Sequence, residues 1–170
     1  MSLHGDLLQQ ARLLATHEPR RPKQSSLRRA ISTSYYALFH LLVNEAVGLL
    51  VAGTDRKSLR NSLSRAFAHG HMKEVAQQFA GPNGPSPKVL PALNGLGLTP
   101  ELKSVASAFV DLQQARHEAD HDVSREFTRK ECLDLVSRVQ VAFSDWSKVR
   151  RTLSADVFLV ALLAQKQMQA

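Results

Sequence analysis

Three observations predict an all-α protein, a bundle of four or five helices. Apolar residues recur at spacings of three and four over long stretches, as they do on the buried stripe of a helix. Helix start and stop signals bracket those stretches. No stretch alternates polar and apolar residues with the period of a strand, and no internal repeat is visible. The 170 residues, 44% of them hydrophobic, suffice for one domain with a core and are short for two. Residues 1–170 therefore read as a single helical domain, with 153–170 as a C-terminal helical extension.

Taken in order, Leu3, Leu7, Leu8, Ala11 and Leu14 give a first helix, stopped by Glu18-Pro19-Arg20-Arg21-Pro22. Ser25 or Ser26 is expected to cap the second. From Leu27 to about Val51 the chain is apolar nearly all round, which marks a central helix buried by several neighbours. Its exception is a polar line, Arg29, Thr33, Tyr36, His40 and Asn44, expected to meet a polar face on another helix. Residues 58–67 and 72–79 are weaker helical segments, interrupted around Gly70. The glycine- and proline-rich segment from Gly81 to Leu98 reads as a long surface loop outside the core. Thr99-Pro100-Glu101 supplies an N-cap, a proline at the first helical position and an early acid. Thr128-Arg129-Lys130-Glu131 is a capping-box pattern that opens the last long helix, with Cys132, Val136, Val139, Phe143 and Trp146 on its seam. Ser154 is expected to start a terminal helix reaching about Gln167.

A formal charge of +7 and an isoelectric point near 10.0 favour acidic partners, nucleic acid first. Arg20, Arg21, Lys23, Arg28 and Arg29 cluster within ten residues, and Arg56, Lys57, Arg60 and Arg65 form a second group. Aromatics are not interleaved with either, so no stacking platform for single strands is indicated. Cys132 is the sole cysteine, which excludes an intramolecular disulfide or a cysteine-based zinc site. No basic region followed by an apolar run opens the chain, and the longest apolar run, Val157 to Ala164, is far short of the roughly 20 residues a membrane span needs. These features predict a soluble, cytoplasmic protein.

The most chemical stretch is Ala115-Arg116-His117-Glu118-Ala119-Asp120-His121-Asp122. Leu102, Val105, Phe109 and Leu112 step along one stripe of the helix that begins at Thr99, and the next steps land on Arg116 and Ala119. Arg116 therefore falls on the core-facing stripe. A guanidinium keeps its proton, so it needs an acidic or phosphate partner there, or an opening to water. Beside it, Ala106, Val110, Gln113, His117 and His121 turn polar at the same level. His117 to His121 also spells H-E-x-x-H, the zinc metalloprotease signature, but the positions that supply glycine and a third histidine in its extended form hold Ser124 and Phe127. No strand is on hand to hold a peptide, so no metal site is read here.

Ser26-Leu27-Arg28-Arg29-Ala30-Ile31-Ser32-Thr33-Ser34-Tyr35-Tyr36-Ala37-Leu38-Phe39-His40 resembles the signature helix of HEPN-domain proteins. Arg116, four residues, then His121 is similar to the arginine and histidine motif of the HEPN ribonucleases. The resemblance runs from the first helix through about Trp146. His121 stands where close relatives often carry an aromatic. Val123 stands where some HEPN toxins carry a tyrosine that a partner nucleotidyltransferase modifies. The resemblance implies metal-independent RNA cleavage without a cofactor, in a toxin or defence component, with a small nucleotidyltransferase antitoxin as a candidate partner. Arg116 would stabilise the charged transition state and His121 would move a proton, with His117 as a second proton-transfer group. Asp120, Tyr36 and His40 would support them, and Arg20, Arg21, Arg28 and Arg29 would bind the RNA.

Five residues on a helix amount to about 140° of rotation and about 7.5 Å of rise, so Arg116 and His121 of one chain converge poorly on one phosphate. Two copies across a two-fold axis can supply both groups to one groove, and HEPN relatives are dimers with facing motifs. The alternative is structural: Arg116 and Asp120 form a satisfied pair at a dimer interface, and the protein is a non-catalytic HEPN adaptor for a partner protein or nucleic acid.

Overall fold

The computed structural model describes residues 2–168, and these are all-α: seven α-helices, two short 3-10 turns and no strand. The helices are α1 (Leu3–Thr16), α2 (Gln24–Leu50), α3 (Lys57–Ser64), α4 (His69–Ala80), α5 (Pro100–His121), α6 (Arg129–Val149) and α7 (Leu153–Ala164). The count exceeds the expected four or five because both weak segments and the terminal stretch form full helices. The chain divides into two compact units, one of residues up to His40 with Ala108–Ser144, the other of Leu41–Ser107 with Asp145 onward. The division falls within α2, α5 and α6.

In the first unit, the capping signals act as the sequence implies. The Thr128 hydroxyl accepts the Glu131 N–H at 3.2 Å while the Glu131 carboxylate accepts the Thr128 N–H at 2.7 Å, so two otherwise orphaned donors at the start of α6 are satisfied reciprocally. That bond and the Thr128 hydroxyl hold the Glu131 carboxyl below its ordinary pKa. The start of α2 departs from expectation. The Lys23 carbonyl accepts the Ser26 and Leu27 N–H groups, so the helix begins at Gln24 and the serines lie inside it. Ser26 instead donates to Glu18 at 2.8 Å across the proline break. Ala15, Leu27, Ala30, Ile31, Ala119, Phe127 and Cys132 form one buried cluster. Gln24 clamps its edge by donating to the Phe127 carbonyl and accepting the Phe127 N–H, at 2.9 and 3.0 Å.

In the second unit, Thr99 caps α5 by accepting the Leu102 N–H at 3.2 Å. The break expected around Gly70 lies earlier, where the Arg65 and Ala66 N–H groups close the last turn of α3 on Ser62 and Leu63. Gly70 sits in the first turn of α4, where N–H groups lack an intrahelical partner in any case. Met72, Val75, Ala76 and Phe79 form the buried stripe of α4, and Phe79 meets Phe158 of α7 with ring centroids 4.9 Å apart. The C-terminal extension is thus core: Phe158, Leu159 and Leu162 are buried.

The 81–98 segment also differs from expectation. It forms a 3-10 turn at Leu90–Leu93 that packs on α7, with Val89 and Leu93 buried. Asn94 then takes a left-handed conformation, φ 50°, with Gly95 following at φ 76°. Glycine and proline content marked an irregular path, and the two apolar side chains between them decide where that path lies. Truncation of Leu93 to alanine is expected to cost about 2–4 kcal/mol. Urea denaturation measures this, and a change below about 0.5 kcal/mol would show that the turn contributes nothing to the core.

Candidate functional site

The site lies in the first unit, where α2 and α5 each offer a pair of side chains one turn apart. Ser32 and Tyr36 come from α2, and Arg116 and Asp120 from α5. The Ser32 hydroxyl donates to Asp120 Oδ1 at 2.5 Å. Asp120 Oδ2 lies 2.7 Å from Arg116 Nε, an ion pair whose approach is off the N–H axis. Arg116 Nη2 donates to the Tyr36 hydroxyl at 3.3 Å. The guanidinium carbon also stands 5.8 and 5.7 Å from the ring centroids of Tyr35 and Tyr36, within reach of a cation–π attraction. Ser32, Asp120, Arg116 and Tyr36 thus make a continuous polar chain.

Beneath it, Tyr35 is fully buried, with its ring 5.5 Å from Phe109 and 5.9 Å from Phe39. Burial drives the Tyr35 phenol pKa far above its ordinary value, against the pull of Arg116. A neutral ring therefore backs the cation. The Arg116 side chain is 23% exposed and that of Asp120 29%, so the pair sits at the edge of the core and meets water. Arg116 Nη1 finds no acceptor among the described residues, which leaves the guanidinium donor capacity on its open side.

His117 and His121 follow on α5, both exposed, with ring centroids 4.9 Å apart. Neither imidazole has a hydrogen-bond partner among the described residues. Two exposed imidazoles and an oriented cation therefore occupy the last two turns of one helix. His40, one turn beyond Tyr36, is half-buried and stacks on the Tyr36 ring at 6.2 Å. Burial lowers its pKa, and the nearby His4 lowers it further.

Of the cations expected to bind RNA, Arg28 has another task. It donates to the Ala119 carbonyl at 2.8 Å and the Asp122 carbonyl at 2.9 Å, and also to the carbonyl of Arg125, so it caps the open end of α5. Asp122 continues the turn by accepting the Ser124 hydroxyl at 2.6 Å and the Ser124 N–H at 3.0 Å, bonds that lower its carboxyl pKa. Arg20, Arg21 and Arg29 are exposed and form no ion pair among the described residues.

Ser32 and Tyr35 were not singled out by the sequence. The available signal for Ser32 was its place one turn before Tyr36, on the same face of α2. No protein-family model, curated protein or solved structure matches the chain.

Two outcomes follow from this geometry. Arg28→Ala strands the Ala119 carbonyl in the last turn of α5 and the Asp122 and Arg125 carbonyls just beyond it, and is expected to cost about 1.5–3 kcal/mol, with hydrogen exchange rising in the final turn around His121. Unchanged exchange there would exclude the capping role. His40 resists protonation in the folded state, so the unfolded chain binds the proton more readily. Its contribution to stability is present above the ordinary value of 6.5 and is lost as pH falls through that value to the lowered one. His40→Gln should flatten this acid arm in melts run across pH 4 to 8, and an unaltered arm would assign it to other groups.

Proposed function

We propose that the chain is a metal-independent RNA endonuclease of the HEPN type, acting as a cytoplasmic homodimer in a toxin or defence role. The observation that carries this reading is Arg116, oriented by Asp120 and Tyr36 and backed by a neutral aromatic, with an unengaged amino group beside two exposed histidines. Such a cation suits the charge that builds on a phosphate during strand cleavage. In the proposed reaction the ribose 2′-oxygen attacks the adjacent phosphorus and the bond to the 5′-oxygen breaks, leaving a 2′,3′-cyclic phosphate and a 5′-hydroxyl. One imidazole accepts the proton of the 2′-hydroxyl and a protonated imidazole supplies one to the leaving oxygen. His121 and His117 are assigned these roles, and the poor convergence of Arg116 and His121 within one chain is the reason for two copies.

The second reading is a non-catalytic HEPN adaptor. It is favoured by the same polar chain, since Asp120, held by Ser32, and Tyr36 already give Arg116 partners without any substrate.

In the presence of chelator, His121→Ala and Arg116→Ala should each reduce RNA cleavage by about 10²-fold or more, while light scattering still reports a dimer. Arg116→Lys keeps the charge and loses the planar fork, so it should leave the fold intact and cleavage badly impaired. Wild-type protein inert on a broad RNA panel would favour the adaptor, as would lysine restoring everything that alanine removes. A strict monomer at micromolar concentration would remove the two-copy site.

A further inference from the structure

From Arg56 to Lys73 the chain carries five lysines and arginines and no carboxylate. The structure gathers four of these cations on α3 and its two flanking residues. At about 100° per residue, Arg56, Arg60, Ser64, Lys57, Asn61 and Arg65 sweep one half of the helix circumference in that order, and Leu59 and Leu63 fall on the other. Arg60 anchors the element, its guanidinium donating to the Gly53 carbonyl and more distantly to that of Val51. Arg56, Lys57 and Arg65 remain exposed, with no hydrogen bond or ion pair from their side chains among the described residues.

No residue of α3 is buried. Eight residues are too few to hold a helix in water by propensity alone, and this one owes its place to Arg60 and a partly covered Leu63 rather than to a core. We infer that α3 and its flanks are a grip for the sugar-phosphate backbone of RNA. The arc of cations is interrupted only by an amide and a hydroxyl, which are phosphate and ribose contacts as well. Leu59 is the one well-exposed apolar side chain of the helix, too little for an element that lies in a lipid surface. Phe67, the nearest aromatic, is buried, so bases are not stacked and binding does not depend on sequence. The grip rests on the proposed function only in naming RNA as the anion, and it concerns binding, which is measurable whether or not the chain cleaves.

The experiment is fluorescence anisotropy with a labelled RNA hairpin, titrated at several salt concentrations with full-length His121→Ala protein. Adding Arg56→Ala, Lys57→Ala and Arg65→Ala together should leave the melting temperature unchanged. It should weaken binding about 10- to 100-fold at low salt, and lower the slope of log affinity against log salt by about two to three. Arg65→Gln alone, the variant to use if the triple does not fold, should lower the slope by about one. An unchanged slope overturns the grip. So does a parent protein that binds no RNA, and so does a triple variant that loses binding to phosphatidylserine vesicles while keeping its RNA affinity. Failure of His121 and Arg116 to support cleavage, with the salt slope changing as stated, would reject the nuclease and leave the grip standing.

Discussion

A guanidinium on the core stripe of α5 is the constraint around which the first unit is arranged. Arg116 falls where Leu102, Val105, Phe109 and Leu112 have set the inward direction, and it cannot shed its charge to suit. Placing an unpaired cation there would cost several kcal/mol. Asp120 supplies the opposite charge from the same helix, but a single carboxylate one turn away leaves the cation free to swing to either side. It is α2 that fixes the arrangement. Ser32 holds the carboxylate and Tyr36 meets the guanidinium, so two pairs, each one turn apart, must face each other in a single register. Sliding α2 by one residue would break both contacts together.

The same requirement explains the effort spent on the end of α5. Arg116, His117 and His121 occupy its last turns, where helices ordinarily fray because their final carbonyls lack partners. Arg28 takes up the Ala119 carbonyl and the Asp122 N–H that of Glu118, while Arg28 and the Asp122 carboxylate tie down the chain beyond the helix. The exposed histidines are thereby carried on an ordered stem, while their rings remain open to water. An interface arginine needs its carboxylate and its aromatic backing. The nuclease proposed above gives the two uncovered imidazoles alongside a role, and the adaptor gives them none.

Much of this was legible in the sequence, and what was hidden was hidden for definite reasons. The stripe that carries Arg116 and the two N-terminal caps at Thr99 and Thr128 are local, since they depend on residues within a turn or two. The polar line on α2 pointed to Tyr36 as a meeting point, because a polar group on a buried helix must find a partner. Ser32 was invisible for the opposite reason: a small hydroxyl among buried residues is unremarkable until its partner, 88 residues away, is known. Arg28 misled through its neighbours. Within a basic run it reads as one more surface charge, and only the fold brings it to the carbonyls of α5. In the 81–98 segment the glycines and prolines report where the backbone bends and say nothing of where Val89 and Leu93 are buried.

Charge is distributed on the same principle. A strongly basic chain invites the view that its cations form one acid-seeking surface, but they divide by what surrounds them. Arg28, Arg60 and Arg129 end on backbone carbonyls, where a multi-donor fork satisfies groups that no backbone N–H reaches. Arg116 is paired with a carboxylate yet keeps an amino group open. Arg56, Lys57 and Arg65 have neither carbonyl nor carboxylate, on a helix that buries nothing. Net charge alone cannot distinguish these three situations. The first of them leaves no carbonyl-bound fork for an external phosphate, whereas the exposed Arg20, Arg21 and Arg29 join the last in remaining unpaired among the described residues. In the proposed reading positive charge takes two forms, one oriented beside the imidazoles and one spread along an exposed helix. These are the forms expected of a centre that acts on a phosphate and a surface that holds many of them.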